Sequence, residues 1–262
     1  MKLNFYKYHG TGNDFIMVDN RMASFPKNDT NLIHELCHRR FGIGADGLIL
    51  LEQPVNDQED FKMVYYNADG NQSSMCGNGG RCLVAFAKFL GVFENETVFS
   101  AIDGKHKGIV KDGIVSLKMK DISAENLNKK ELFLDTGSPH HILFSEEVGD
   151  IDVKKEGAII RYSDKYESDG GTNVDFVQQT GEDSFLVRTY ERGVEDETFS
   201  CGTGVTAVAL AVHAVGKTQA TTVHLETPGG KLIVSFEKEG ENYKNIWLTG
   251  PAKNVFKGVI EC

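Results

Sequence analysis

Two cysteines of this chain, Cys76 and Cys201, stand in the same local pattern, and that pattern can support acid–base chemistry. Each is followed by glycine at +1 and +3, by a run dominated by alanine, leucine and valine, and by a glycine at +15, which is Gly91 or Gly216. The pattern predicts a glycine turn, a buried helix and a glycine cap at its end. Each thiol then lies at a helix N-terminus, where unpaired N–H groups and the helix dipole favour an anion. We therefore expect the thiol pKa to be lowered from about 8.5 towards 7 or below.

The surroundings of the two cysteines also repeat along the chain in one order. The turn at Asn13 matches that at Ser138, at a separation of 125 (138 − 13), which equals the separation of the cysteines (201 − 76). This repetition predicts an internal duplication into two similar α/β halves. We place them at residues 1–122 and 123–249, with the polar segment Asp121–Lys130 as the linker.

The bulk composition excludes several classes of protein. A net charge of −10 and a pI near 5.3 argue against a nucleic-acid partner. The first 20 residues lack the apolar core of a signal peptide, and no apolar run is long enough to span a bilayer. The five cysteines are odd in number and irregularly spaced, unlike a secreted disulfide framework. We expect a reduced, cytoplasmic protein with no membrane partner.

Two facing thiols could invert a carbon centre without a cofactor. A thiolate removes a proton from one face, a thiol delivers another to the opposite face, and the roles exchange in the reverse direction. The glycines after each cysteine allow backbone N–H groups to approach a substrate carboxylate. If the two halves present their cysteine helices to each other across a cleft, the predicted activity is racemisation or epimerisation.

The motifs resemble those of diaminopimelate epimerases. The stretches "GTGNDF", "RRFGIGADG", "NADG", "CGNGGRC", "SPHH", "GTNVDFV", "YERG" and "CGTG" run through both halves in that family's order. The resemblance implies conversion of LL-2,6-diaminopimelate to the meso form, in lysine and peptidoglycan-precursor synthesis, by a homodimer without cofactor or metal. It also implies an α/β (α+β) fold in which each half is a mixed, largely antiparallel sheet around a central apolar helix. The C-terminal tail, about residues 250–262, is expected to pack back on the N-terminal half.

The resemblance also assigns roles by position. Cys76 is the proton donor and Cys201 the acceptor in the written direction, and His140 and Glu191 tune the thiols. Arg192 is expected to pair with the distal carboxylate of the substrate, since its planar fork suits a carboxylate. Ser138 stands where the family often has asparagine and is a candidate substrate contact. The implied substrate-binding residues are Asn13, Asn67, Gly77, Asn78, Asn173, Glu191, Arg192, Gly202 and Thr203.

Two further motifs have simpler interpretations. His34 and His38 satisfy the zinc-protease pattern H-E-x-x-H, on a helix predicted from Asp29 or Thr30 through about Arg40. No third ligand follows, so we interpret this segment as a structural helix. The glycines of residues 42–47 match a dinucleotide fingerprint, but they follow a helix and precede a strand, which is the wrong order for that site.

Two rival functions stay open at this point. A proline or hydroxyproline racemase would share the cysteine pattern, although such enzymes usually place histidine where this chain has Asn78. A redox or binding module could instead use Cys76 and Cys201 as a thiol–disulfide switch.

Overall fold

The chain forms two compact units. The structure, a computed structural model, describes residues 1–123, 127–128, 130 and 132–262. Unit 1 consists of Met1–Leu117 and Gly250–Cys262, and unit 2 of Lys118–Thr249. The predicted linker Asp121–Lys130 lies partly outside the described residues. Within the described residues, no helix is long and apolar enough to cross a bilayer.

Unit 1 is a mixed sheet around one long helix. Its elements from the first part of the chain are β1 (Lys2–Gly10), β2 (Asn13–Asp19), α1 (Thr30–Cys37), β3 (Gly47–Glu52), β4 (Phe61–Asn67), β5 (Gln72–Ser73), α2 (Gly77–Phe89), β6 (Glu96–Ala101), β7 (Gly104–Lys111) and β8 (Ile114–Lys118). Strand β1 is antiparallel to β2, β2 parallel to β3, β3 antiparallel to β4, and β4 parallel to β6. Every residue of β3 is buried, because α2 packs on this part of the sheet and α1 also contacts β3.

Unit 2 repeats this order of elements. They are β9 (Leu127–Asn128), β10 (Phe133–Asp135), β11 (Pro139–Phe144), α3 (Val153–Arg161), β12 (Asn173–Gly181), β13 (Ser184–Glu191), β14 (Asp196–Thr198), α4 (Gly202–Ala214), β15 (Thr222–Thr227), β16 (Gly230–Glu239) and β17 (Asn242–Pro251). Strand β10 is antiparallel to β11, β11 parallel to β12, β12 antiparallel to β13, and β13 parallel to β15. Because each pair has the sense of its counterpart in unit 1, the predicted fold class is confirmed.

The last strand returns the chain to unit 1. Strand β18 (Lys253–Glu261) pairs antiparallel with β1, and in the same way β9 pairs antiparallel with β10. Strand β18 pairs with no other strand in the part of the chain that the structure describes. It is therefore an edge strand of unit 1.

The two cysteine helices end as the sequence predicts. Gly91 and Gly216 have φ values of +70° and +76°, a region that glycine adopts at no steric cost. After α2, the N–H groups of Gly91 and Val92 donate to the carbonyls of Lys88 and Ala87. The corresponding pair of bonds follows α4. This is the Schellman arrangement, which satisfies carbonyls at a helix C-terminus.

Helix α1 ends three residues earlier than predicted. Asp29 caps its N-terminus by accepting from Leu32, but His38 is extended, with ψ of 122°. The ring Nδ1 of His38 accepts from the backbone N–H groups of Arg40 and Phe41 and so closes a turn after the helix. His38 therefore lies outside the helix that was predicted to contain both His34 and His38.

Candidate active site

Cys76 is the N-cap of α2 in unit 1. Its backbone is extended, with φ of −98° and ψ of 138°, and its Sγ accepts a hydrogen bond from the N–H of Gly79 at 3.5 Å. The N–H groups of the first helical turn have no partner within the helix. The thiol therefore lies where the glycine loop presents backbone donors, as the sequence predicts.

Asn13 is held with its carbonyl oxygen towards Cys76. Its Nδ2 donates to Oδ2 of Asp46 at 2.6 Å, and Asp46 is itself paired with Arg39 at 2.6 Å. The Oδ1 of Asn13 consequently accepts from the Cys76 thiol at 3.6 Å and from Nδ2 of Asn78 at 3.3 Å. Three of the predicted site residues are thus brought together in unit 1.

Two residues of this half-site were not predicted, namely Thr11 and Arg81. The guanidinium of Arg81 is fully buried and donates to Oδ1 of Asn78 at 2.8 Å and to the carbonyl of Gly77 at 3.3 Å. It also donates to the Thr11 hydroxyl at 3.3 Å. An arginine directly before the apolar run of α2, in its buried first half, is the sequence signal that could have identified Arg81. The predicted site residue Asn67 ends β4 with an exposed side chain.

Cys201 is the N-cap of α4 in unit 2, in surroundings of different chemistry. Its Sγ lies 3.3 Å from Oγ1 of Thr203. Burial raises the pKa of the thiol well above its usual value, and the carboxylates of Glu191 and Asp175 act in the same direction. Hydrogen bonds from Thr203 and Gly204 favour the thiolate but are outweighed. The expected lowering of the Cys201 pKa is therefore wrong, because desolvation of the charged form exceeds the effect of the helix N-terminus.

A buried polar chain leads to Cys201. His140 Nδ1 is 2.7 Å from Oδ2 of Asp175, and His140 Nε2 is 2.9 Å from the Thr203 hydroxyl. The side chains of His140 and Asp175 are both fully buried. A Cβ built on Gly204 would lie 2.6 Å from Oδ1 of Asp175, so only glycine allows this pair to approach the helix N-terminus so closely.

Asp175 was missed by the sequence analysis, as was Thr189, whose hydroxyl donates to Oδ1 of Asp175 at 2.7 Å. Their signal is a carboxylate in the buried first half of β12, two residues after the predicted Asn173. An ionised carboxylate in such a position is stabilised only by buried donors. Here those donors are the ring of His140 and the hydroxyl of Thr189.

The remaining predicted residues of unit 2 lie around Asn173. Its Nδ2 donates to Oγ of Ser138 at 2.8 Å, and its Oδ1 accepts from the backbone N–H of Arg192 at 2.8 Å. The Arg192 side chain donates to the carbonyl of Gly171 at 3.2 Å. Asn173 thus connects the start of β11 to the turn that follows β13 and carries Arg192.

Among the described residues, no three His, Cys, Asp or Glu side chains are grouped so that they could hold a metal ion. His34 Nδ1 bonds the carbonyl of Ala68, and His38 serves the turn after α1.

Comparison with known proteins shows which sequences and folds this chain is similar to. The family described as diaminopimelate epimerase matches residues 5–118 and 132–255. A diaminopimelate epimerase of Flavobacterium psychrophilum is 58% identical over 262 residues, covering 99% of this chain and 100% of that protein. A phenazine biosynthesis protein of the PhzF family from Bacillus anthracis has the same fold, with a TM-score of 0.74 at 12% identity and full coverage of both chains. A hydroxyproline epimerase from Agrobacterium vitis also has it, with a TM-score of 0.68 at 13% identity, covering 99% of this chain and 92% of that one. With its sequence matched along both halves, the chain belongs to the diaminopimelate epimerase family.

Proposed function

We propose that this protein interconverts LL- and meso-2,6-diaminopimelate by proton transfer between the substrate α-carbon and the thiols of Cys76 and Cys201. The observation that carries the proposal is that each thiol is the N-cap of a glycine-led helix. In the LL-to-meso direction Cys201 accepts the α-proton and Cys76 donates one to the opposite face. The backbone N–H groups of the two helix N-termini stabilise the charge that develops on the α-carboxylate.

The polar chain beside Cys201 supplies a route for its proton. With Nδ1–H bonded to Asp175, neutral His140 accepts the Thr203 hydroxyl at Nε2, and the Thr203 oxygen accepts the Cys201 thiol. Reversing these hydrogen bonds gives a Cys201 thiolate and a His140 imidazolium, which Asp175 stabilises. A thiol with a raised pKa can in this way become a base without leaving an isolated buried charge.

Substrate selection is proposed to rest on Arg192 and Asn173. Diaminopimelate carries a second carboxylate, for which the planar fork of Arg192 is suited. The position of Arg192 is supported by the bond from its backbone N–H to Asn173. Among the other predicted contacts, Asn13, Asn78 and Thr203 are supported by their short distances to a thiol or to each other, whereas Asn67, Gly77, Glu191 and Gly202 rest on the family pattern.

The direct test is incubation with LL-diaminopimelate, followed by chiral separation, with L-proline and trans-4-hydroxy-L-proline as parallel substrates. We expect meso-diaminopimelate and no turnover of the two imino acids. Turnover of an imino acid alone would assign the protein to the other racemase class. Activity that requires cycles of oxidation and reduction, rather than the reduced protein only, would favour the thiol–disulfide module.

The two-thiol mechanism is tested by the reaction in D₂O at a few per cent conversion. The donating thiol carries deuterium from solvent, so new meso product should be labelled at the inverted carbon. The accepting thiolate returns only the hydrogen that it removed, so recovered LL substrate should stay nearly unlabelled. Substrate that gains deuterium faster than product forms would indicate one exchanging base instead.

We also propose that the protein is a homodimer in the reducing cytoplasm. All five cysteines are free thiols, as a reducing compartment would maintain them. The edge strand β18 exposes Val255 and Val259, which are 56% and 62% accessible, and a second copy could cover them. In sedimentation velocity, Val259→Glu should shift the protein to a monomer, whereas Ile102→Glu, at an equally exposed site of unit 1, should not.

A further inference from the structure

Arg81 carries a positive charge at a fully buried position. Its side chain has no solvent exposure, and among the described residues its donors reach the Gly77 carbonyl, the Asn78 amide oxygen and the Thr11 hydroxyl. Its Nε has no hydrogen-bond partner among the described residues. In the same part of the chain, Arg81 forms no ion pair with a carboxylate. A guanidinium stays charged in proteins, so its burial requires compensation.

Arg81 bonds Gly77 and Asn78, the two residues that follow Cys76, and its charge interacts with two thiols, those of Cys82 and Cys76. Cys82 is fully buried, and burial raises its pKa above the ordinary range, so it stays a neutral thiol. Cys76 is only half-buried and accepts the N–H of Gly79. Of the two, Cys76 is therefore the one that can become an anion.

The neighbouring strands do not supply the missing negative charge. From β1, Tyr8 acts on Cys82, but burial raises the pKa of this phenol to about 12, so that it is neutral. From β2, Asp14 also acts on Cys82, and it is already paired with Lys7 at 2.7 Å and Arg39 at 2.7 Å. The Arg81 charge is thus balanced neither by β1 nor by β2.

The second copy shows that the fold does not need this charge. The counterpart of Arg81 in α4 is Thr206, at the same separation of 125 (206 − 81). The Thr206 hydroxyl donates to the carbonyl of Gly202 at 2.8 Å, just as Arg81 donates to the equivalent carbonyl of Gly77. A neutral hydroxyl therefore makes the same bond to the first-turn carbonyl in unit 2, so this bond does not need a charge, and the guanidinium of the first copy has another role.

We propose that Arg81 is a positioning residue for Cys76, which holds the Gly77–Asn78 loop and supplies the positive charge that favours the Cys76 thiolate. The two thiols are then tuned in opposite directions, because Cys201 faces the carboxylates of Glu191 and Asp175. The inference rests on the proposed function only in giving Cys76 a chemical task. Its test involves no substrate, so that its failure and the failure of the proposed function are distinguishable.

The test compares the pH dependence of Cys76 alkylation in the wild type, Arg81→Met and Arg81→Lys. Iodoacetamide labelling is followed site by site by mass spectrometry from about pH 5 to 10, with the exposed thiol of Cys262 in the same chain as the reference for reagent reactivity. In Arg81→Met the apparent pKa of Cys76 should rise by about 1 or more on the pH scale, because an opposite charge nearby lowers a pKa by about 1–3. Arg81→Lys should restore part of the difference.

Arg21→Met is the matched control for loss of one arginine, since Arg21 pairs with Asp19 on the surface of the same unit. It should leave the Cys76 profile unchanged. The proposal would be overturned if Arg81→Met had a native circular dichroism spectrum and the same pH dependence of Cys76 alkylation as the wild type.

A second measurement applies if Arg81→Met does not fold. A thiolate stabilised in the native state lowers the folded pKa of Cys76 below its unfolded value of about 8.5. Its contribution to stability is then present above about pH 8.5 and is lost as the pH falls through the folded value. The urea midpoint of the wild type relative to Cys76→Ser should therefore rise between pH 6 and 9, and a constant difference would contradict the proposal.

Discussion

The hydroxyl of Thr203 lies between the buried imidazole of His140 and the thiol of Cys201, and its removal breaks the hydrogen-bonded connection between them. Thr203→Val keeps the shape of the side chain but breaks the connection between His140 Nε2 and Cys201 Sγ. We expect kcat/KM to fall by about tenfold or more, since hydrogen bonds to charged groups are worth about 1.5–3 kcal/mol. The measurement is epimerisation of diaminopimelate across pH.

Thr206→Val is the matched control for this experiment. Thr206 is also buried in α4, but its hydroxyl bonds the carbonyl of Gly202 and does not connect to His140. The control should lower stability while leaving the pH profile of kcat/KM in place. If Thr203→Val and Thr206→Val have the same pH profile of kcat/KM, Thr203 does not take part in the proposed proton transfer.

Arg192 is the residue on which recognition of the second carboxylate is proposed to depend. Arg192→Lys replaces a planar fork by a point charge, and loss of one charge-assisted bond predicts a decrease in kcat/KM of about tenfold or more. The same exchange at Arg21, which pairs with Asp19, should have no effect on kcat/KM. If kcat/KM stays at the wild-type value, Arg192 does not contact the substrate.

At the scale of the elements, replacing the glycine that follows α2 or α4 should lower the free energy of unfolding by a measurable amount. Gly91 and Gly216 have positive φ, and a Cβ at either position would meet no atom within 4 Å. Alanine there introduces backbone strain without a clash, so each substitution should lower the free energy of unfolding by about 1–2 kcal/mol.

Gly149 is the control for these two positions. A Cβ at Gly149 also meets no atom within 4 Å, but its φ is not in the left-handed region. Gly149→Ala should therefore leave the free energy of unfolding near the wild-type value, as measured by urea denaturation. A loss at Gly149 as large as at Gly91 would mean that the cost does not come from φ.

At the scale of the whole molecule, stability at low pH should depend on Asp14. Burial alone would raise the pKa of this carboxyl, but the hydrogen bonds and charges of Arg39 and Lys7 outweigh burial and lower it to about 2. A depressed folded pKa gives stability that is present above the unfolded value of about 4 and is lost as the pH falls towards 2. The loss for a group that is only 17% exposed should be about 2 kcal/mol.

The comparison that checks this is urea unfolding of the wild type and Asp14→Asn between pH 5 and 2. The variant should be less stable at pH 5 and should lose less stability on acidification. Asp57→Asn, in an exposed loop, should follow the wild-type curve. If Asp14→Asn loses as much stability as the wild type between pH 5 and 2, other carboxylates govern acid unfolding.

The sequence by itself determined the features that depend on residues near each other in the chain. The glycines after each cysteine, the apolar run and the final glycine at +15 predicted both helices, because caps and turns are set by the few residues that form them. The repeated order of motifs predicted the duplicated α/β fold, because each motif is again formed by residues near each other in the chain. Family membership was equally accessible, since the motifs of both halves stand in the printed sequence.

Only the tertiary structure decided which groups act on each thiol. His140 meets Asp175 across 35 residues of chain, and Arg81 meets Thr11 across 70. Burial of Cys201 also reversed the direction in which its pKa was expected to shift. Desolvation and long-range pairing depend on how strands distant in sequence pack together, so two nearly identical local motifs acquire different electrostatic surroundings.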